Sequence, residues 1–208
     1  MESARIGVDE SGKGDYFGYL VIAGVLLESK KEDILKSMGV KDSKLLSDMA
    51  VHKIASMIKK ECKYDIVKIS PEKYNQLYGK FKSLNKLLAW GHARVIKNLL
   101  EKSSCDLAIS DKFGDESLIK DQLKGIAIEL VQKIHAEADT AVAAASILAR
   151  DEFLITLRKL GRDVGIVLPK GSTHVKAAAE ELLKKYDKNI LSMVAKLHFK
   201  ITKQLLKN

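Results

Sequence analysis

Two apolar runs open the chain. Residues 4–8 read as a short strand, and residues 19–27 form an almost unbroken apolar stretch suited to a strand buried on both faces. The glycine-rich turn between them predicts an antiparallel pair. A short helix over 30–38 closes at Gly39. Ser47 caps a helix to about residue 61, where Val51, Ile54, Ala55 and Ile58 keep helical spacing. Residues 64–69 alternate weakly, as a third strand, and Ser70-Pro71 starts a new helix with proline at its first position. The clearest helix spans 84–100, with Leu84, Leu87, Leu88, Gly91, Val95 and Leu99 in one stripe.

Beyond it, residues 107–109 read as a brief strand running toward Asp111. A helix begins at Asp115 or Glu116, and a strand covers 126–134. An alanine-rich helix over about 140–159 has side chains small enough to lie close against a sheet. A loop covers 161–172, and two basic helices, 173–186 and 190–206, finish the chain. Strands mostly lead and helices mostly follow. The pattern predicts an α/β fold, a mixed central sheet flanked by helices with a helical C-terminal portion. All 208 residues read as a single domain, with about 1–160 as the core and 161–208 as the basic helical portion.

Composition narrows the class. At 46% hydrophobic and 30% charged, the chain is not of the disordered kind. No apolar run approaches the roughly 18 residues of a membrane span, and no signal peptide is expected. Cys62 and Cys105 are far apart, as buried thiols of a reduced, cytoplasmic protein would be. The net charge of +9 is uneven: residues 154–208 hold 12 Lys and Arg against 4 Asp and Glu, a net +8. Such one-sided basicity points to an anionic polymer, most often nucleic acid.

The chemistry is expected where strands end in acids. Asp9 and Glu10 close the first apolar run, and Gly12-Lys13-Gly14 follows at once. Adjacent carboxylates repel unless a cation sits between them, and glycines allow close approach of backbone to a ligand. If the strands before Asp9 and Asp111 are parallel neighbours, their acids meet at one sheet edge. Strict alternation would send Asp9 and Glu10 to opposite faces, so sharing one site requires the strand to end or bend there. Paired acids of this kind suit Mg²⁺, which takes few direct protein ligands. A nucleotide-binding phosphate loop over 7–14 is excluded: Gly14 stands where its Ser or Thr would hold the metal, two acids would repel a triphosphate, and a strand rather than a helix follows.

Asp9-Glu10-Ser11-Gly12-Lys13-Gly14-Asp15-Tyr16-Phe17-Gly18 resembles the opening signature of the type 2 ribonucleases H, in the form typical of the HIII branch. The likeness runs nearly end to end. It includes Lys41-Asp42-Ser43-Lys44, residues 84–93, the alanine-rich 141–150, Leu168-Pro169-Lys170-Gly171 and Lys196-Leu197-His198-Phe199. The resemblance implies a ribonuclease H-like fold and an endonuclease cutting the RNA strand of an RNA–DNA hybrid with two Mg²⁺ or Mn²⁺ ions, leaving 5′-phosphate and 3′-hydroxyl ends. Asp9, Glu10 and Asp111 match its metal ligands. Gly12, Lys13 and Gly14 match the turn that reads the RNA 2′-hydroxyl, and Ser43, Lys44 and Asn85 match substrate contacts. The family places a fourth acid shortly before the alanine-rich helix, and the resemblance favours Glu137, which fits the local pattern His135-Ala136-Glu137, with Asp139 as the alternative and also a simple helix cap. The branch usually carries an N-terminal substrate-binding domain; here the signature starts at Asp9, so that domain is either absent or truncated from this chain. Strong hybrid binding would then fall to Lys184, Lys185, Lys188, Lys196, Lys200 and Lys203. No protein partner is indicated. His92 either faces substrate or only flanks Gly91. Two other readings remain at this level: ribonuclease HII-like incision at single ribonucleotides in duplex DNA, and a hybrid-binding module without catalysis.

Overall fold

The computed structural model describes residues 4–41, 43 and 46–207. Five strands form one sheet in the order β3-β2-β1-β4-β5. They are β1 (Ala4–Ser11), β2 (Leu20–Glu28), β3 (Lys63–Ile69), β4 (Leu107–Asp111) and β5 (Glu129–Lys133). β1 pairs antiparallel with β2, which pairs antiparallel with β3; β4 runs parallel to both β1 and β5. The sheet is therefore mixed, with β1 at its centre.

Both faces are covered, which is why β2 needs an unbroken apolar run. Val21, Ala23, Val25 and Leu27 pack into the core beneath α6 (Thr140–Val164), while Leu20, Ile22 and Leu26 pack into a second core beneath α4 (Leu84–Leu100). β1 divides the same way. Ile6 and Val8 join the α4-side core. At Gly7, on the other face, an added Cβ would stand 2.1 Å from the Ala141 carbonyl carbon, so α6 lies directly on the strand backbone. The small residues Ala141, Ala143, Ala144 and Ala145 make that approach possible.

Local signals place several elements as expected. Ser47 Oγ accepts from Ala50 N–H at the start of α2 (Asp48–Glu61), and Ser70 Oγ accepts from Lys73 N–H at the start of α3 (Pro71–Phe81). α4 has the bounds its periodicity predicts. The helix expected over 30–38 is a 3-10 turn (Ser29–Lys31) followed by α1 (Glu32–Ser37). α5 (Ser117–Gln122) follows Asp115, whose carboxylate accepts from Ser117 N–H. Among the described residues no helix is long and apolar enough to cross a membrane.

Elsewhere the structure corrects the expectation. β5 is shorter than 126–134, because residues 126–128 lie in a turn and Ile134 is exposed. α6 runs past residue 159 and past Gly161, ending at Gly165 with φ +65°. The chain returns there, with Ile166 N–H donating to the Gly161 carbonyl, so the stop lies four residues beyond the first glycine. After α7 (Lys176–Lys185), the single helix expected over 190–206 is two: α8 (Ile190–Val194) and α9 (Lys200–Leu205). The break belongs to Lys196. Its ammonium is fully buried and donates to the carbonyls of Asp15 and Gly18, at 2.9 and 2.7 Å. Ala195 bridges Phe17, and Lys196 N–H donates to the Tyr16 carbonyl. Asn75 holds the outer side, accepting from Leu197 N–H and donating to the Ala195 carbonyl. Lys196 is thus removed from the set of surface lysines offered to a polyanion. Lys184, Lys188, Lys200 and Lys203 are exposed, and Lys185 donates to the Val164 carbonyl at the end of α6.

Replacing Lys196 by Met keeps the bulk and removes the donors, leaving two buried carbonyls unpaired. Urea denaturation of Lys196→Met is expected to show a loss of roughly 2–3 kcal/mol, against less than about 0.5 kcal/mol for Lys203→Met.

Candidate active site

A cleft of about 380 Å³ opens where β1 and β4 end. Asp9, Glu10 and Ser11 line it from β1, Asp111 from β4, and Glu137 from the 3-10 turn Ala136–Ala138. Lys13 and Asp15 enter from the glycine turn, Ser43 from the loop before α2, and Ser146, Arg150, Phe153 and Leu154 from α6. Lys170 completes the rim.

β1 neither ends nor bends at Asp9; pairing continues to Ser11, opposite Val21. The alternation therefore holds, and the two acids go to opposite faces. Asp9 shares the α6 face with Gly7, and there Ser146 hydrogen-bonds its carboxylate. Glu10 shares the α4 face with Val8, and its Oε2 lies 2.9 Å from His92 Nε2. Both line the cleft because it opens at the sheet's end, where the faces meet. The parallel register pairs Val8 with Ser110, and one step on stand Asp9 and Asp111. A turn fixes Glu137: His135 takes φ +56°, Ala136 packs against Ile109 and Val142, and Ala136 N–H donates to Asp111 Oδ1.

The paired acids are electrostatically unlike. Burial pushes the Asp9 carboxyl up to about 7, and the charges of Glu10 and Asp111 add to it, against hydrogen bonds from Ser146 and the Glu10 N–H. Burial acts on Glu10 in the same sense but is outweighed by the His92 hydrogen bond and the Lys13 charge, which hold it down at about 2. Lys13 Nζ is 2.6 Å from Glu10 Oε1, so both carboxylate oxygens have a nitrogen partner.

The turn after β1 is held firmly. Gly12 has φ +88°, and a Cβ there would sit 2.1 Å from the Tyr19 carbonyl oxygen. Asp15 Oδ1 accepts from Gly171 N–H at 2.6 Å, and Tyr16 N–H donates to the Gly171 carbonyl. Gly14 is exposed with open space around it, so its backbone is accessible to a ligand.

The remaining expected residues divide. Ser43 Oγ is 2.8 Å from Ser146 Oγ, and the Ser43 carbonyl accepts from the Arg150 guanidinium. Asn85 is exposed beside Gly114, outside the cleft lining. Lys44 lies outside the described residues. Asp139 also lies outside the lining: it caps α6 through Ala141 N–H and accepts from Arg5 Nε at 2.8 Å. His198 packs against Tyr74, Tyr78 and Phe199, away from the acids.

Sequence reasoning did not single out Ser146, Arg150 or Lys170. A signal exists for the first two: they are the polar residues in an otherwise apolar 141–150, four positions apart and hence on one helix face. Asp48 holds the two rim cations, taking Arg150 on one oxygen and Lys170 on the other, each at 2.9 Å.

The donors suit a hard divalent cation. They are carboxylate oxygens, and Asp9, raised first by burial and then by the charges of Glu10 and Asp111, has no cationic side chain of its own in contact with it among the described residues. Among the described residues no three His, Cys, Asp or Glu close into a cage. Such a site would leave coordination positions to water and phosphate, in the manner of Mg²⁺.

Comparison with known proteins places this mixed sheet and its acid-lined cleft among the ribonucleases H of type 2. The family model for ribonuclease HII matches residues 6–202. Ribonuclease HIII of Protochlamydia amoebophila is 48% identical over 205 residues, covering 97% of this chain and 68% of that protein. That of Chlamydia felis is 47% identical, covering 94% and 67%. The crystal structure of Bst-RNase HIII in complex with Mn²⁺ superposes with a TM-score of 0.92 at 32% identity, covering 99% of this chain and 70% of that one. The chain thus spans about two thirds of the length of these relatives. It belongs to the ribonuclease HII family and, within it, to ribonuclease HIII, with the ribonuclease H-like fold and the ribonuclease H activity on RNA–DNA hybrids that go with that family.

The Asp9 shift makes a stability prediction. A folded-state value raised from 3.8 to about 7 gives stability that is present below the unfolded value and lost as pH rises through 7. In EDTA, Asp9→Asn is expected to raise stability at pH 8 by on the order of 1–3 kcal/mol, and by clearly less at pH 5. Thermal melts at the two pH values check this; a loss at pH 8 would mean that burial and the neighbouring charges do not penalise the Asp9 carboxylate.

Proposed function

We propose that the chain hydrolyses the RNA strand of RNA–DNA hybrids by a two-cation mechanism, leaving 5′-phosphate and 3′-hydroxyl ends. The observation that carries this reading is the convergence of Asp9, Glu10 and Asp111, from two neighbouring strand ends, on one cleft beside an exposed glycine turn. These three carboxylates would hold two Mg²⁺ or Mn²⁺ ions. When bound, the ions supply Lewis acidity at the scissile phosphate and charge stabilisation at the departing oxygen.

The chain's own groups do the rest. The backbone of Gly12 and Gly14, with Lys13 between them, would test the strand for a 2′-hydroxyl, which only RNA offers. Gly12 sets the turn and Gly14 leaves its face open. The Ser43 and Ser146 hydroxyls, joined to each other, present a polar wall for the strand. Arg150 and Lys170 give the rim a positive charge that Asp48 only partly offsets, favouring phosphates on either side of the cut. Glu137, in the lining and partly exposed, would move a proton to or from water or the departing oxygen. Exposed Lys184, Lys188, Lys200 and Lys203 would add longer-range attraction.

Glu137→Gln is expected to lower single-turnover cleavage of a hybrid by about 10²–10⁴-fold. Asp139→Asn keeps a cap and loses only the Arg5 pair, so it is expected to cleave nearly normally at a stability cost of about 1 kcal/mol. The reverse outcome would make Asp139 the fourth acid. Neutralising the four exposed lysines together is expected to weaken hybrid binding and flatten its dependence on log[salt], by roughly 0.7–0.9 for each phosphate that is no longer neutralised. An unchanged slope would make them merely a solvated surface.

A further inference from the structure

α4 carries an imidazole into a place where an apolar side chain would pack as well. His92 is fully buried, its ring against Phe113 with centroids 4.8 Å apart. Its Nδ1 has no hydrogen-bond partner among the described residues, and a buried unsatisfied nitrogen destabilises a core. Leu or Phe would avoid that cost. What His92 has in return is one bond, Nε2 to Glu10 Oε2 at 2.9 Å.

The approach is built into both elements. Glu10 stands opposite Ile22 in the β1–β2 register. Gly91 rests on that same Ile22, where an added Cβ would come within 2.7 Å of Cδ1. The glycine lets α4 close on the sheet at this rung, and the next residue reaches the carboxylate. Glu10 is then held from behind at Oε2, while Oε1 faces the partly exposed Lys13 at the cleft.

We propose that His92 is a positioning residue for the reaction: a buried hydrogen-bond donor that fixes the rotation of the Glu10 carboxylate and so presents Oε1 to a divalent cation. This rests on the reading of Glu10 as a metal ligand. Partners behind a metal ligand commonly set its orientation, and their loss typically costs 10–100-fold in metal affinity. His92 itself does not touch substrate; it acts through Glu10.

The test is Mn²⁺ binding to the intact chain, read by the electron paramagnetic resonance signal of the free ion, with thermal melts alongside. His92→Phe fills the space without a donor. It is expected to fold but melt below the wild type, since Glu10 loses a buried partner, and to bind Mn²⁺ about 10–100-fold more weakly, with hybrid affinity in EDTA unchanged. His92→Gln, whose amide nitrogen reaches about as far as Nε2, is expected to recover most of the Mn²⁺ affinity. Wild-type Mn²⁺ affinity in a folded His92→Phe would overturn the proposal and leave His92 a core residue. Should His92→Phe fail to fold, His92→Gln and His92→Asn supply the contrast, since both are polar but Asn is too short to reach Glu10. Weaker Mn²⁺ binding in the Asn variant alone supports the proposal, and equal binding in both overturns it. Glu10→Gln separates the two levels. If it weakens Mn²⁺ binding and His92→Phe does not, only the positioning role falls; if the wild type binds no Mn²⁺, the metal reading falls with it.

Discussion

Everything at this site depends on the alternation of one strand. β1 stays in register through Ser11, so Asp9 and Glu10, adjacent in sequence, are driven to opposite faces of the sheet, each covered by a different helix. Two carboxylates cannot be buried side by side without partners. Each is therefore met by the helix on its own face: Asp9 by Ser146 of α6, Glu10 by His92 of α4. The demand that both helices lie close at this level accounts for the run of alanines in α6 and for Gly7 and Gly91 where the helices touch the sheet. The result is an asymmetric pair. One carboxyl is driven toward neutrality and the other is held ionised. A divalent cation would resolve the frustration on the Asp9 side, which is the physical reason to read the pair as a metal site rather than as a structural ion pair.

The turn after β1 is held by residues from the far end of the chain. Asp15 is tied to Gly171, and the carbonyls of Asp15 and Gly18 are tied to Lys196. The C-terminal segment is thus part of the same core as the cleft, with Val175, Leu182, Leu191 and Val194 packed into it. Its lysines divide between Lys196, turned inward, and the exposed lysines, turned outward.

Much of this is legible in the order of residues, and the limits have physical causes. β2 and α4 announce themselves because burial on two faces and on one stripe leave strong periodic patterns, and Ser47, Ser70 and Pro71 mark helix starts by local chemistry. Asp9, Glu10 and Asp111 stand out because an apolar strand has no structural use for acids at its end. The division of 190–206 into two helices is not legible, since no glycine or proline marks it. It follows from a lysine finding carbonyls almost 180 residues away. For the same reason Arg150 and Lys170, tied together by Asp48, declare themselves a cleft rim only in three dimensions. His92 is visible as a histidine beside a glycine, but its role depends on the rung at which α4 crosses β2.

If carboxylates at two strand ends cut RNA through divalent cations, cleavage must need both the acids and the metal. The most direct measurement gives the protein an end-labelled RNA–DNA hybrid, and a DNA duplex with a single embedded ribonucleotide, each with Mg²⁺, Mn²⁺ or EDTA. Cleavage within the RNA of the hybrid is expected in either metal, with 3′-hydroxyl ends, and none in EDTA or with Asp9→Asn. Cleavage that survives EDTA, or that survives the loss of the Asp9 carboxylate, would contradict the claim.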